Sequence, residues 1–116
     1  MKRDIKHFVK DILDSINKIN EFIGDMNFDE FVNDDKTSSA VIRKLEIIGE
    51  ATKNIPKDIQ DKCPQIPWSD MARMRDKIIH FYHGVDYEIV WKVIKERLPE
   101  IKMEIEKLLI SLKEEI

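Results

Sequence analysis

The sequence predicts an all-α fold, a four- to five-helix up-and-down bundle, and three observations predict it. Apolar residues recur at i, i+3, i+4 spacing through most of the 116 residues. Three glycines and four prolines leave little room for a turn-rich β fold. Charged residues make up 37% and hydrophobic residues 42% of the chain, the balance of amphipathic helices around one core. The length suits one core, so residues 1–116 are read as a single domain.

The first helix is expected from about Arg3 to Gly24, because Ile5, Phe8, Val9, Ile12, Ile16, Ile19, Phe22 and Ile23 keep i, i+3, i+4 spacing. A short helix is expected over Asp29 to Val32. Asp34 and Asp35 then offer an N-cap and favourable charge for a helix from about Lys36 to Asn54. Its core face is Val41, Leu45, Ile48 and Ile55, and Pro56 stops it. Lys57 to Cys63 suits one more helical turn. Pro64 and Pro67 enclose a loop, and Pro67 fits the first turn of the next helix, expected to end near Gly84. Asp86 can cap a further helix through Trp91 and Ile94. Pro99 must break or kink it, or begin a new helix reaching about Glu115. No repeat, low-complexity stretch or linker stands out.

No run approaches the length of a membrane span and no secretory signal is recognisable, so a cytoplasmic protein without a membrane partner is expected. The single Cys63 excludes an internal disulfide and a multi-cysteine zinc site. Three scattered histidines make no metal site, so neither metal nor cofactor is expected. The net charge of −3 argues against a broad nucleic-acid platform. The charge is uneven, however: residues 1–35 carry 5 basic and 9 acidic side chains, whereas residues 36–66 carry 6 and 4. Residues 67–97 carry 6 and 5, with two histidines. Any contact with a phosphate should therefore be local and near the middle of the chain.

The candidate chemistry lies in Arg75-Asp76-Lys77-Ile78-Ile79-His80-Phe81-Tyr82, an R-x4-H-x-Y pattern. On a continuous helical wheel Arg75 falls inside the apolar stripe of Trp68, Met71, Ala72, Met74, Ile78, Ile79, Phe81 and Tyr82. A guanidinium on a packed face needs a partner, either a structural carboxylate or an incoming phosphate. On one ideal helix Arg75 and His80 would stand about 8–9 Å apart and about 140° apart around the axis. Two copies of the helix facing each other in a two-fold homodimer would bring them together better. The pair suits metal-free RNA cleavage. An imidazole can take a proton from a ribose 2′-hydroxyl or give one to the leaving oxygen, and an arginine can stabilise the phosphoryl charge. Taken singly, Arg75 also reads as a structural ion-pair member, His80 as a helix-end cation and Tyr82 as a core aromatic with a polar tip.

Glu46 and Glu50 share a face at i, i+4. Either one of them pairs with Arg75, or they form a solvated face with salt bridges to Arg43 or Lys53. Gly49 between them suggests close helix–helix packing near the motif helix or a dimer seam. His83 could assist phosphate binding or sit solvated at a helix end. His7 reads as structural or exposed, and Trp68 and Trp91 as core anchors.

The stretch IPWSDMARMRDKIIHFYHGVDYEIVWKVIKERLPEI, preceded by RKLEIIGEATKNIP, closely resembles the HepT-like branch of the HEPN superfamily. The resemblance covers about Val41 to Ile101. It implies a bundle that dimerises around the motif helix. It further implies a metal-independent endoribonuclease toxin of a type VII-like toxin–antitoxin pair, and single-stranded or loop RNA is the substrate we expect for it. The implied partner is an MntA-like minimal nucleotidyltransferase antitoxin that silences the toxin by attaching AMP to the motif tyrosine. Carried onto this chain, Arg75 and His80 would be catalytic and Tyr82 the AMP acceptor, with Asp76, Glu46, Glu50 and His83 in support. Asp76 occupies a position often held by asparagine in the superfamily; its charge could orient a histidine but also repels phosphate. The alternative reading is a non-catalytic HEPN dimer that docks a nucleotidyltransferase or binds nucleotide.

Overall fold

Helix α1 spans Lys2–Ile23, and the 3-4-3-4 spacing of Val9, Ile12, Ile16, Ile19 and Ile23 puts all five in the core. The structure, a computed structural model, describes residues 2–80 and 84–114. Gly24 ends α1 in the left-handed region, at φ 51°. Helix α2, Phe28–Asn33, starts from a capping box: the Asn27 side chain accepts from the Glu30 N–H, and the Glu30 carboxylate accepts from the Asn27 N–H.

Helix α3, Asp35–Thr52, is capped by the Asp34 carboxylate, which accepts from the Thr37 N–H at 3.0 Å. Those hydrogen bonds to Thr37 hold the Asp34 carboxyl below its ordinary pKa. Val41, Leu45 and Ile48 are fully buried between α3 and α1. Ile55, beyond the helix end, also joins the core. Helix α4, Lys57–Lys62, follows Pro56 as a short connector.

Among its described residues, the segment expected as one helix from Pro67 to Gly84 is broken into shorter elements. Helix α5 covers Trp68–Ala72 and α6 covers Met74–Ile78, separated at Arg73, whose φ −101° and ψ 19° lie off the helical values. After Ile78 the chain extends. Strand β1, Ile79–His80, pairs antiparallel with β2, Gly84–Val85, in the register Ile79 with Val85 and His80 with Gly84. The β-branched pair Ile78-Ile79 favours leaving the helix, and Gly84 takes φ 74° at the start of β2, a value glycine adopts freely. The Asp86 N–H donates to the Ile78 carbonyl at 2.8 Å and fastens the end of α6. Two consequences correct the expectation: Arg75 and His80 do not share a helix, and the break re-phases the wheel, so Arg75 is exposed while Met71, Met74 and Ile78 take the core.

Helix α7, Tyr87–Lys92, is capped by Asp86, which accepts from the Ile89 N–H at 3.1 Å. A π turn over Val93–Arg97 joins it to α8, Leu98–Glu114. Its widened ladder is seen where the Leu98 N–H donates to the Val93 carbonyl, five residues back. The π turn accommodates Pro99 just inside α8, where a continuous α ladder would have driven the ring against a carbonyl. Leu98, Ile101, Ile105, Leu108 and Leu112 repeat the 3-4 spacing and pack α8 on α1.

The long helices α1 and α3, the α7–α8 rod and the broken α5–α6 unit thus form an all-α bundle of four helical members, with α2 and α4 as short connectors. Phe31 of α2, fully buried, meets Tyr87 edge-on and packs tilted on Trp91, locking α2 to α7. Among the described residues no helix is long and apolar enough to cross a membrane.

Candidate active site

Gly49 determines where the motif can sit. It is buried in α3, and a Cβ built on it would lie 3.2 Å from the Met71 carbonyl oxygen, 3.6 Å from that of Ala72 and 3.7 Å from the Met74 Cβ. The missing side chain therefore lets the α5–α6 junction lie directly on α3. Glu46 is almost one turn earlier on α3, and Arg75 is two residues past the break. The Arg75 Nε donates to Glu46 Oε2 at 3.0 Å. The glutamate side chain is 23% exposed and the arginine 66%. Glu46 is therefore fixed against the body of the bundle while the guanidinium faces solvent, held by one nitrogen. Of the two glutamates weighed from the sequence, Glu46 meets Arg75. Glu50 instead pairs with Arg43 at 3.4 Å on the exposed face. The packing of Gly49 against the motif-bearing segment, expected from its position, is seen.

The remaining motif residues divide. Asp76 is exposed on α6 next to Arg75. The backbone of His80 lies in β1, two residues beyond the end of α6; its side chain falls outside the description, and Tyr82 and His83 lie outside the described residues. Trp68 is buried and its indole N–H donates to the Cys63 carbonyl at 3.0 Å, so it anchors the loop before α5. Trp91 is half-buried, with Lys95 Nζ 4.9 Å from its ring centroid.

Reasoning from sequence missed one cluster. Asp70 of α5 accepts from two cations: Lys77 Nζ lies 3.2 Å from Oδ1, and Arg97 Nη2 of the π turn lies 3.3 Å from Oδ2. The hydrogen bond from Lys77, with the charges of Lys77, Arg97 and Arg73, keeps the Asp70 carboxyl below its usual range. The spacing of Asp70 and Lys77, seven residues apart, was a readable signal. The approach of Arg97 depends on the π turn and had none. Among the described residues, no three His, Cys, Asp or Glu side chains gather as a metal site would need.

An all-α bundle that offers a glutamate-held arginine on α6 and a histidine in the strand that follows is of the HEPN-like class. Residues 12–108 match the Ribonuclease HepT-like family, and the chain belongs to it. A protein of Thermococcus cleftensis named probable ribonuclease HepT is 53% identical over 108 residues, covering 93% of this chain and 98% of that one. Two candidate RNases of Methanocaldococcus jannaschii are similar. One is 53% identical over 113 residues, 97% of each chain, and the other 50% over 108 residues, 93% of this chain and 89% of its own. No solved structure matches the chain.

Proposed function

We propose that the protein is an endoribonuclease that cleaves RNA without a metal ion, with Arg75 and His80 as its catalytic residues. The observation that carries this reading is the Glu46–Arg75 pair: an exposed guanidinium tied through its Nε to a half-buried glutamate of α3. Membership of the Ribonuclease HepT-like family, and relatives named as RNases, support it.

In this mechanism the His80 imidazole takes the proton of a ribose 2′-hydroxyl. The 2′-oxygen attacks the adjacent phosphorus to form a 2′,3′-cyclic phosphate, the bond to the 5′-oxygen of the next nucleotide breaks, and that oxygen takes its proton from a protonated His80 imidazole. Arg75 binds the non-bridging oxygens, on which negative charge grows. Since α6 ends at Ile78, one chain offers the two groups from different elements, a helix and a strand. A two-fold homodimer that brings two motifs to one cleft completes the site. The partner is an MntA-like nucleotidyltransferase, and AMP on Tyr82 silences the enzyme by putting a phosphate and a purine where RNA would lie.

A second reading, a non-catalytic dimer that docks the nucleotidyltransferase or binds nucleotide, draws on the exposed Asp76 beside Arg75 and the net charge of −3. Cleavage of a labelled RNA pool in EDTA separates the two. The ribonuclease reading expects cutting by the parent and none by Arg75→Ala or His80→Ala. Folded protein, unmodified at Tyr82 by intact mass, that leaves the RNA whole supports the binding module instead.

A further inference from the structure

We propose that Arg73, Lys77 and Arg97 form a track that binds RNA phosphates flanking the one at Arg75. The proposal rests on the ribonuclease reading and adds to it the surface along which the strand lies.

Helix α6 is a single short segment with cations on both flanks. Arg75 leaves one flank toward Glu46 on α3. Lys77 leaves the other toward Asp70, where Arg97 joins it from the π turn. Two residues along a helix turn through about 200°, so Arg75 and Lys77 diverge across a cylinder about 10–12 Å wide. At about 3.4 Å of rise per stacked nucleotide, that width matches roughly three steps of a strand. A strand whose scissile phosphate meets Arg75 therefore reaches the Lys77 side with its neighbouring phosphates.

The charge balance singles out this surface. Lys77 and Arg97 hold Asp70, with Arg73 close enough to act on it by charge; these three cations outnumber Asp70 and the exposed Asp76 of α6 by one, on a chain whose net charge is −3. Both cations bound to Asp70 remain accessible, Lys77 at 42% and Arg97 at 48% exposure. Asp70 gathers the two cations and offsets the charge of only one of them. The N-terminal segment carries 9 acidic residues against 5 basic ones and repels phosphate. The π turn has a role here: it is the element that supplies Arg97.

The test is the binding of a fluorescent single-stranded RNA to full-length protein in the His80→Ala background, measured across a salt series. The double variant Lys77→Gln, Arg97→Gln should bind about tenfold more weakly. Its plot of log affinity against log salt should flatten by about 1.4, near 0.7 for each lost contact on single strands. Asp70→Asn removes one negative charge and frees both cations, so it should bind several-fold tighter. A purely structural role for Asp70 gives weaker or unchanged binding, and either result overturns the track. Lys77→Arg with Arg97→Lys should keep both affinity and slope, which separates charge from damage to the fold. If the protein with His80 intact cleaves RNA in an Arg75-dependent way while the double variant binds as the His80→Ala parent does, the track is wrong and the ribonuclease reading stands. No RNA binding by the parent overturns both. Loss of binding to the nucleotidyltransferase alone, with RNA affinity intact, assigns the cluster to protein docking and also overturns the track.

Discussion

Replacing Glu46 by alanine separates holding the fold from aiming the arginine. The pair is an Nε–Oε2 contact of 3.0 Å between an arginine 66% exposed and a glutamate 23% exposed. An ion pair so open to water contributes about 0.5–1 kcal/mol to stability. For a chain of this size that is a fall in Tm of roughly 2–5 °C. The effect on the reaction is larger. Without its anchor the guanidinium regains rotamer freedom that must be lost again on reaching the phosphate, about 1–2 kcal/mol. That corresponds to a roughly five- to thirtyfold fall in kcat. Affinity moves the other way. A carboxylate about 7 Å from the bound phosphate repels it by about 0.6 kcal/mol at the dielectric of water, so KM should fall slightly or hold. Glu46→Gln keeps an acceptor for the Arg75 Nε and should recover part of kcat. The assay is steady-state cleavage of a fluorogenic RNA, with thermal melting alongside. If kcat of Glu46→Ala stays within twofold of the parent while Arg75→Ala is inactive, Glu46 does not aim the arginine and the reasoning fails.

Two other outcomes are expected. Gly49→Val puts a branched side chain where a bare Cβ would already be 3.2 Å from the Met71 carbonyl, so the α5–α6 junction must move off α3. Stability should drop by about 1–3 kcal/mol in denaturant titrations, with cleavage reduced even where the protein is fully folded; parental stability and activity would refute the close approach. The Asp70 carboxyl, lowered in the folded protein chiefly by the hydrogen bond from Lys77, contributes stability above its unfolded pKa of about 3.9 and loses it as the pH falls through the lower folded value. The Tm difference between parent and Asp70→Asn should be constant near neutral pH and shrink below about pH 4. A difference that grows on acidification would contradict the sign.

The periodic parts of the fold were legible because burial alone decides them. The core stripes of α1 and α3, the Asp34 and Asp86 caps and the stop at Pro56 follow from spacing and side-chain chemistry. The motif segment was not legible as one helix. Its apolar residues fit a continuous wheel, yet a single non-helical residue at Arg73 and the extended backbone at Ile79 change which face each side chain takes. Arg75 therefore moved from an expected apolar stripe to the surface, and its partner came from α3, a relation no local pattern encodes. Glu46 and Glu50 were equivalent by spacing; only the approach permitted by Gly49 distinguishes them. The Asp70 cluster shows the same limit, since Arg97 reaches it across 27 residues through a π turn.

The most direct test of the central claim is the chemistry of the product ends, read by mass spectrometry after cleavage of a defined RNA in EDTA. Attack by a 2′-oxygen activated by His80 predicts a 2′,3′-cyclic phosphate on one fragment and a 5′-hydroxyl on the other. The same RNA carrying 2′-O-methyl groups should stay intact. Fragments ending in a 3′-hydroxyl and a 5′-phosphate, or cutting of the methylated RNA, would contradict the mechanism assigned to Arg75 and His80.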